Sequence, residues 1–388
     1  MQRVILHCDM NNFYASVECM LNPELKNKPV AVCGSVEERH GIVLAKNYAA
    51  KAFGVSTGEA IWQAKQKCQD LVIVEPHYEQ YMKFSKLARG IYGRYTDQIE
   101  PYGMDECWLD VTGSGCMGTG FEIADEIRRT VKFELGLTIS AGVSFNKIFA
   151  KLGSDMKKPD AITCIEADSF REKIWCLPAS DLLGVGRATE KVLSGYGIHT
   201  IGELAATSDD FLKCRLGKNG LAIKKYANGL DDSPVMRSDY VSPVKSIGHG
   251  ITTMQDLENN AEVWCVMLEL VQEIGTKLRT HKKKAGGIFP SATMSFSRRS
   301  GSAGLAFRHP IRSVTVRAIN LFEEDCPIQY DLFTDVKSLD RQERLDAAIE
   351  QIRFRFGKDA IKNGVLFQKS KMPTERKVDL VMPTGMSG

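Results

Sequence analysis

The sequence predicts an α+β, multidomain chain, and three observations carry that prediction. Short apolar runs of strand length are interleaved with amphipathic stretches of helical period through roughly the first 165 residues. Two of those runs flank the polar corner Gly103-Met104-Asp105-Glu106, which marks an antiparallel hairpin. From about Phe170 the texture changes to short helices punctuated by glycine, and beyond an Asp/Pro-rich stretch the strand and helix signals resume. At 388 residues the chain is long enough for about two to four domains, each with its own core.

Taken in order, residues 3–8 read as a buried strand ending at Asp9. Asn11 and Asn12 are good N-cap types for a helix over 13–21. Strands are expected over 29–33, ended by Gly34, and over 42–45, with helical turns over 47–53. A helix over 81–95 precedes the hairpin, whose second strand, 107–111, alternates. An amphipathic helix over 121–135, a strand over 138–143 and a helix over 146–155 complete this part. Residues 231–243, with two prolines and several acids, read as an exposed linker. Strands over 247–253, 290–297 and 314–321 and helices over 261–279 and 342–356 follow, and the last dozen residues carry no structural signal.

Composition is ordinary for a soluble globular protein, which excludes disordered and fibrous classes. There is no run of about eighteen apolar residues and no signal-peptide layout at the start, so a cytoplasmic location and no membrane partner are expected. Eleven cysteines, an odd number without a C-x-x-C pair, indicate reduced thiols rather than a disulfide framework or a zinc site. A net charge of +3 does not by itself point to nucleic acid, so that case rests on local charge and motifs.

Asp9 closes one strand, and Asp105 and Glu106 sit at the hairpin turn. Neighbouring strands would bring the three carboxylates together, where they would repel one another and take up protons. Divalent cations resolve this, because Mg²⁺ prefers hard oxygen ligands and commonly keeps phosphates in its shell. Two such ions about 3.5–4 Å apart can clamp the attacking and leaving oxygens of an in-line displacement. Each acid alone reads more readily as a solvated turn residue.

Longer stretches add to this. Asp9-Met10-Asn11-Asn12-Phe13-Tyr14-Ala15-Ser16-Val17-Glu18 resembles the opening motif of Y-family translesion DNA polymerases. Four further stretches resemble the same family in the same order, over residues 47–55, 104–110, 140–147 running to 155–159, and Lys245-Ser246-Ile247-Gly248. The resemblance implies a right-hand polymerase with a palm (1–10 and 78–166), small fingers (11–77), a helical thumb (167–232), a linker (233–244), an α+β little finger (245–325) and a C-terminal tail (326–388). It implies low-fidelity, template-directed synthesis without a proofreading nuclease, by a monomer acting on primer-template DNA and deoxynucleoside triphosphates. Two Mg²⁺ ions are implied as cofactors, held by Asp9, Asp105, Glu106 and the Met10 carbonyl.

Tyr14 falls at the family's steric gate, and Asn12, Phe13, Tyr48, Lys51 and Lys158 fall at its nucleotide-binding positions. Gly34, Ile42 and Gly58 would roof the nascent base pair, two glycines leaving little to press on a misshapen one. Gly184-Val185-Gly186 resembles a helix-hairpin-helix turn, in which main-chain N–H groups approach a DNA phosphate. Lys245, Lys282, Lys283, Lys284, Arg298, Arg299, Arg308 and Arg312 suit phosphate contacts in the linker and little finger. Gln329-Tyr330-Asp331-Leu332-Phe333 resembles the peptide with which bacterial polymerases dock on a sliding clamp, through Gln329, Leu332 and Phe333.

Three departures stand out. The second Asp often seen in the opening motif is Asn11 here, and a position commonly Arg is Lys51, a point charge without the bidentate fork. The family's little finger runs β-α-β-β-α-β, but too few residues separate the strands over 290–297 and 314–321 for a strand plus a helix. Residues 300–304, rich in Gly and Ser, read as a flexible bridge there, so a shortened little finger is expected, whether natural, engineered or missing a segment. Two other readings remain: a nucleotidyl cyclase-like palm enzyme, which would not need the thumb-like turn, and a non-catalytic DNA-binding scaffold at stalled forks.

Overall fold

The structure is a computed structural model and describes residues 2–35, 41–294, 310–326, 335–357 and 360–367. These residues form two compact units, one holding 2–34 and 42–242 and the other the described residues from Pro243 onward.

The first unit opens with β1 (Ile5–Met10) and α1 (Phe13–Leu21), then β2 (Val30–Cys33), β3 (Val43–Lys46), α2 (Tyr48–Ala52), α3 (Ile61–Lys67) and β4 (Val72–Val74). It continues through α4 (Tyr78–Tyr92), β5 (Ile99–Pro101), β6 (Glu106–Asp110), α5 (Gly120–Leu135), β7 (Ile139–Ser144), α6 (Lys147–Met156) and β8 (Ile162–Ile165). Four helices end it: α7 (Phe170–Ile174), α8 (Arg187–Ser194), α9 (Ile201–Ala206) and α10 (Asp209–Ala227).

The main sheet runs β5-β6-β1-β7-β8, with β1 at its centre and antiparallel to both neighbours. Every residue of β1 is buried, as its short apolar run predicts. Alternation along the strands gives the sheet two unlike faces. Leu6, Cys8 and Met10 join Cys107, Leu109, Ile139 and Ala141 in a core with α4 and α5. Ile5 and Trp108 lie on the opposite face, with Ala150 of α6. Gly142 lets α6 come this close: a Cβ there would sit 1.9 Å from the Ala150 carbonyl oxygen and 2.6 Å from the Ser154 nitrogen.

Local chemistry sets the helix ends. Thr119 and Glu122 form a reciprocal capping box at the start of α5, and Gly136, at φ +66°, ends it. Helix α4 begins three residues earlier than its apolar pattern suggested, and ends at Gly93. A separate small sheet, β3-β2-β4, carries α2 and α3 on its own core of Ala31, Val43, Ala50, Ile61 and Ala64. The helices α3 and the strands β4 and β8 were not foreseen, since three to seven residues carry too little periodicity.

The stretch expected as an exposed linker is in part fixed. Val235 is buried with Ile5 and Trp108. The Met236 nitrogen donates to Glu100 Oε2 at 2.9 Å, and Arg237 pairs with Asp97 at 2.9 Å. The Ser238 nitrogen also donates to the Asp97 carbonyl oxygen at 2.9 Å, and beyond it the chain runs largely exposed to Ser246.

In the second unit, β9 (Ile247–Leu257), α11 (Asn260–Thr280), β10 (Lys283–Met294) and β11 (Ile311–Glu323) make a sheet of order β10-β11-β9, with α11 on one face. Strand β10 starts well before the expected residue 290. Its ladder with β11 runs from Lys283 and includes Gly287, which pairs with Ile319. In chain order the described elements run strand, helix, strand, strand and then the helix over 336–356, the first five of the expected β-α-β-β-α-β. β10 and β11 are adjacent antiparallel partners, so the pattern asks for no strand and helix between them, and the shortening expected there is corrected. Helix α12 (Val336–Phe356) lies beside α11 through Arg279–Glu350 at 2.6 Å and Arg353 Nη2 to Gln272 Oε1 at 3.2 Å. All eleven cysteines are free thiols, and among the described residues no helix is long and apolar enough to cross a membrane.

Gly142→Ala tests the approach of α6 to the sheet. Both atoms it would meet are main-chain and cannot turn aside, so a loss of at least about 1–3 kcal/mol is expected in thermal or urea unfolding. Unchanged stability would contradict the packing described.

Candidate active site

The register of β1 against β6 sets Asp9 directly opposite Glu106, and the Met10 nitrogen donates to the Asp105 carbonyl oxygen at 3.0 Å. The three acids therefore meet at one corner of the sheet, although 96 residues separate Asp9 from Asp105 in the chain. By the alternation of β1, His7 and Asp9 point away from the α4–α5 core and toward α6.

Helix α6 answers with a polar stripe at helical spacing: Lys147, Lys151, Ser154, Asp155 and, just past its end, Lys158. Lys158 Nζ lies 2.7 Å from Asp9 Oδ2 and 2.9 Å from Asp155 Oδ1. Lys151 Nζ lies 2.5 Å from Glu106 Oε2. Lys147 pairs with Glu100 at 2.7 Å and lies over the Trp108 ring, 4.4 Å from its centroid. His7 is fully buried; its Nδ1 is 2.8 Å from Ser154 Oγ, which itself donates to the Lys151 carbonyl at 2.7 Å. The Ser154 hydroxyl has one proton, so His7 Nδ1 must be the donor. The other ring nitrogen is 3.3 Å from Glu106 Oε2, without hydrogen-bond alignment.

Burial pushes the Asp9 carboxyl up to about 7 against the pull of Lys158, with Glu106 and Asp105 adding to the rise. Burial and the Glu106 charge push Asp105 up to about 6. Glu106 goes the other way: burial opposes ionisation, but the His7 ring and Lys151 outweigh it and bring the carboxyl down to about 2. Burial also lowers the His7 pKa, so with the ring neutral it is Lys151, in direct contact, that keeps Glu106 charged.

This donor set fits divalent magnesium: hard carboxylate oxygens gathered at one corner, two of them held back from ionisation by burial and by the neighbouring carboxylates. Two lysines now supply that charge, and among the described residues no three acidic, His or Cys side chains form a ready-made metal cage.

The Tyr14 ring lies next to this corner. It stacks on Tyr81, centroids 4.3 Å apart and planes 10° off parallel, with the Tyr78 ring nearly perpendicular at a centroid distance of 6.0 Å. The Tyr81 hydroxyl donates to the buried Glu18 carboxylate, whose other face meets His77 Nδ1 at 3.0 Å. Burial and the Asp105 charge push the Tyr14 phenol up to about 12. Asn12 stands at the N-cap position of α1 in the left-handed conformation, φ 48°, which Asn tolerates, but its side chain makes no capping hydrogen bond; the Phe13 side chain is buried in the α4–α5 core.

Tyr48 starts α2, capped by Asn47, whose side chain accepts from the Ala50 nitrogen. Burial raises the Tyr48 phenol while nearby Lys158 lowers it, which puts Tyr48 on the Lys158 side of the site. Lys51 is exposed one turn along α2, its Nζ 5.8 Å from the Tyr48 ring centroid. The expected roof residues come together: the Gly34 nitrogen donates to the Ile42 carbonyl at 3.1 Å, and that of Gly58 to Val43 at 2.8 Å. Ile42 is 43 % exposed and Gly58 has φ +85°, open to any ligand on that side.

Gly184, at φ +92°, and Gly186, the N-cap of α8, flank the buried Val185. Lys245, Lys282 and Arg312 are exposed in the second unit, and Lys283 pairs with Glu323. Arg298, Arg299, Arg308 and the bridge 300–304 lie outside the described residues, as do Gln329, Leu332 and Phe333.

Residues 8–155 match the impB/mucB/samB family. A DNA polymerase IV from Acetivibrio thermocellus is 47% identical, over 95% of this chain and 98% of its own length. The chain belongs to the Y family of DNA polymerases. A second relative, DNA polymerase IV 1 from Bacillus subtilis, is 34% identical over 96% of this chain and 95% of its own length. Among solved structures, a Y-family DNA polymerase chimera superposes with TM-score 0.70, covering 82% of this chain and 99% of that chain at 23% identity, which speaks for the fold.

His7, Glu18, Tyr81, Lys151 and Ser154 escaped the sequence reading, though Lys147, Lys151 and Asp155 at four-residue spacing already marked one helix face.

Asp105 predicts a pH-dependent gain on neutralisation. Its folded pKa of about 6 stands above the unfolded 3.8, so its ionisation costs nothing below about pH 4, and stability is lost as pH rises through 6. In EDTA, Asp105→Asn is expected to be more stable than wild type at pH 8, on the order of 1–2 kcal/mol after allowing for partial exposure. The difference should vanish near pH 4. Equal stabilities at pH 8 in urea titrations would rule this out.

Proposed function

We propose that this member of the Y family is a DNA-directed DNA polymerase that extends primers across damaged templates with low fidelity, in the cytoplasm and without proofreading. The observation that carries the mechanism is the meeting of Asp9, Asp105 and Glu106 at the β1–β6 corner. The family assignment disfavours a cyclase or a non-catalytic scaffold, since relatives named DNA polymerase IV match over nearly their whole length.

Asp9, Asp105, Glu106 and the Met10 carbonyl would hold two Mg²⁺ ions, which would lower the pKa of the primer 3′-hydroxyl and neutralise charge on the triphosphate. The protein's own contribution is mainly positioning and electrostatics at the transferred phosphate. Lys158, on a flexible four-carbon stem, can turn from Asp9 to a phosphate oxygen, and Tyr48 and Lys51 donate from the neighbouring α2. Lys151 stays on Glu106 and keeps it ionised as a ligand.

Tyr14 is read as the steric gate beneath the sugar, with main-chain groups of Asn12 and Phe13 beside it. Gly34, Ile42 and Gly58 are read as a thin roof that presses little on a distorted base pair. The first unit would grip DNA through main-chain N–H groups at Gly184 and Gly186, and the second through Lys245, Arg298 and Arg299, with steep salt dependence. The peptide holding Gln329, Leu332 and Phe333 is read as a docking segment for a sliding clamp.

Primer extension over an abasic template with Mg²⁺ tests the central reading. Asp105→Ala is expected to lose activity by at least about 10³-fold, and Tyr14→Ala to admit ribonucleotides while retaining synthesis. Full activity of Asp105→Ala would refute the metal-site assignment, and unchanged sugar discrimination the gate. For the clamp peptide, Leu332→Ala with Phe333→Ala should abolish stimulation by a bacterial clamp and leave clamp-free synthesis intact; persisting stimulation would refute docking there.

A further inference from the structure

The opening motif departs from its family at Asn11, and this residue touches the loop that carries Lys158. Asn11 follows Asp9 and Met10 and is 2 % exposed. Its Nδ2 donates to Ser140 Oγ on β7 at 2.9 Å, and its Oδ1 accepts from the Asp160 nitrogen at 2.9 Å. Its own main-chain nitrogen donates to the Thr138 carbonyl at 2.9 Å. The side chain thus uses a donor and its acceptor, and cannot shift without breaking a buried hydrogen bond.

The loop between α6 and β8 is held from its other side as well. Asp160 adopts a left-handed φ of 53°, and its carboxylate meets Arg128 at 2.8 Å and Lys132 at 2.7 Å, both from α5. Arg128 is in turn held by Asp125 at 2.6 Å. Lys158 stands two residues before this anchor. A lysine is a point charge on a mobile stem, so the position of its main chain decides what the ammonium can reach. The Asn11–Asp160 contact joins that main chain to the end of β1, the strand that carries Asp9.

We propose that Asn11 is a positioning residue for nucleotide binding: by clasping the Asp160 main chain it sets the reach of Lys158 toward Asp9 and toward the incoming triphosphate. This rests on reading Lys158 as a triphosphate ligand. It also accounts for the exchange with Asp in this motif. A carboxylate keeps the acceptor for the Asp160 nitrogen, and the Ser140 hydroxyl, able to donate or accept, turns to meet the second oxygen. An apolar side chain of equal size offers neither bond.

The test is single-nucleotide primer extension by the full chain with Mg²⁺, read as KM and kcat for a deoxynucleoside triphosphate, with thermal unfolding of each variant alongside. Asn11→Leu should raise KM about tenfold, the scale on which a displaced positioning group is felt, with a smaller fall in kcat. Asn11→Asp should bring KM back to within about twofold of wild type. Lys158→Ala should raise KM, and adding Asn11→Leu to it should raise KM no further, because the clasp acts through that lysine. If Asn11→Leu does not fold, Asn11→Ser, too short to reach the Asp160 nitrogen, takes its place. An unchanged KM in the Asn11 variants beside a raised one in Lys158→Ala overturns the clasp alone. An unchanged KM in Lys158→Ala removes the triphosphate reading and the clasp with it. A lowered melting temperature without a KM change reduces Asn11 to a packing role and also overturns the proposal.

Discussion

The antiparallel register of β1 against β6 places Asp9 across from Glu106 on the face of the sheet that meets α6, and the rest of the site is arranged around that pairing. Because side chains alternate along a strand, a slip of one residue would exchange the two faces. Asp9 would then enter the α4–α5 core, and Leu6, Cys8 and Met10 would face the polar stripe of α6. The burial of those apolar residues, together with β7 on the other flank of β1, holds the register. The carboxylate corner is thus fixed by the apolar packing behind it.

That placement has an electrostatic cost. Three carboxylates half removed from water favour protonation, and two of them are displaced in that direction. The compensation comes from α6, which can lie against the sheet only because Gly142 carries no side chain at the point of closest approach. Lys151 and Lys158 then reach Glu106 and Asp9 from one helix and the turn after it. Strain of this kind is common where activity requires like charges to be kept together, and stability is given up for function. The cationic face of α6 and the absent Cβ of Gly142 are one device: neither would serve without the other.

Much of this was legible in the sequence, and the reasons differ from element to element. β1, β6, β7, α5 and α11 carry strong periodicity or clear caps, so their types and approximate bounds could be read. Asp9, Asp105 and Glu106 were legible because the resemblance named them; spacing alone could not show that a strand end and a hairpin turn coincide. Short elements such as β4 and β8 were not legible, and β10 was begun too late because its first residues, from Lys283, are held as strand by pairing with β11, a long-range contact. The anchoring of Val235, Met236 and Arg237 was hidden by acidic and proline-rich surroundings that resemble a solvated linker. Supporting contacts such as His7–Ser154 and Tyr81–Glu18 join residues 147 and 63 positions apart, beyond any local pattern.

The aromatic cluster bears on how a steric gate can discriminate at all. A single ring on a mobile side chain would yield to an extra hydroxyl by rotating away, and the clash would cost little. Tyr14 has no such freedom: one face lies on Tyr81, and the Tyr78 ring stands nearly perpendicular beside it. Tyr81 is itself fully buried and tied by its hydroxyl to Glu18, a carboxylate on the same helix as Tyr14. The loop of contacts closes on α1, so turning the Tyr14 ring means breaking the stack or drawing Tyr81 off a buried charge. Stacking of this kind adds about 0.5–1.5 kcal/mol beyond area burial, and a hydrogen bond to a charged group about 1.5–3 kcal/mol. With the gate read as Tyr14, its selectivity resides as much in Tyr81 and Glu18 as in the ring that meets the sugar.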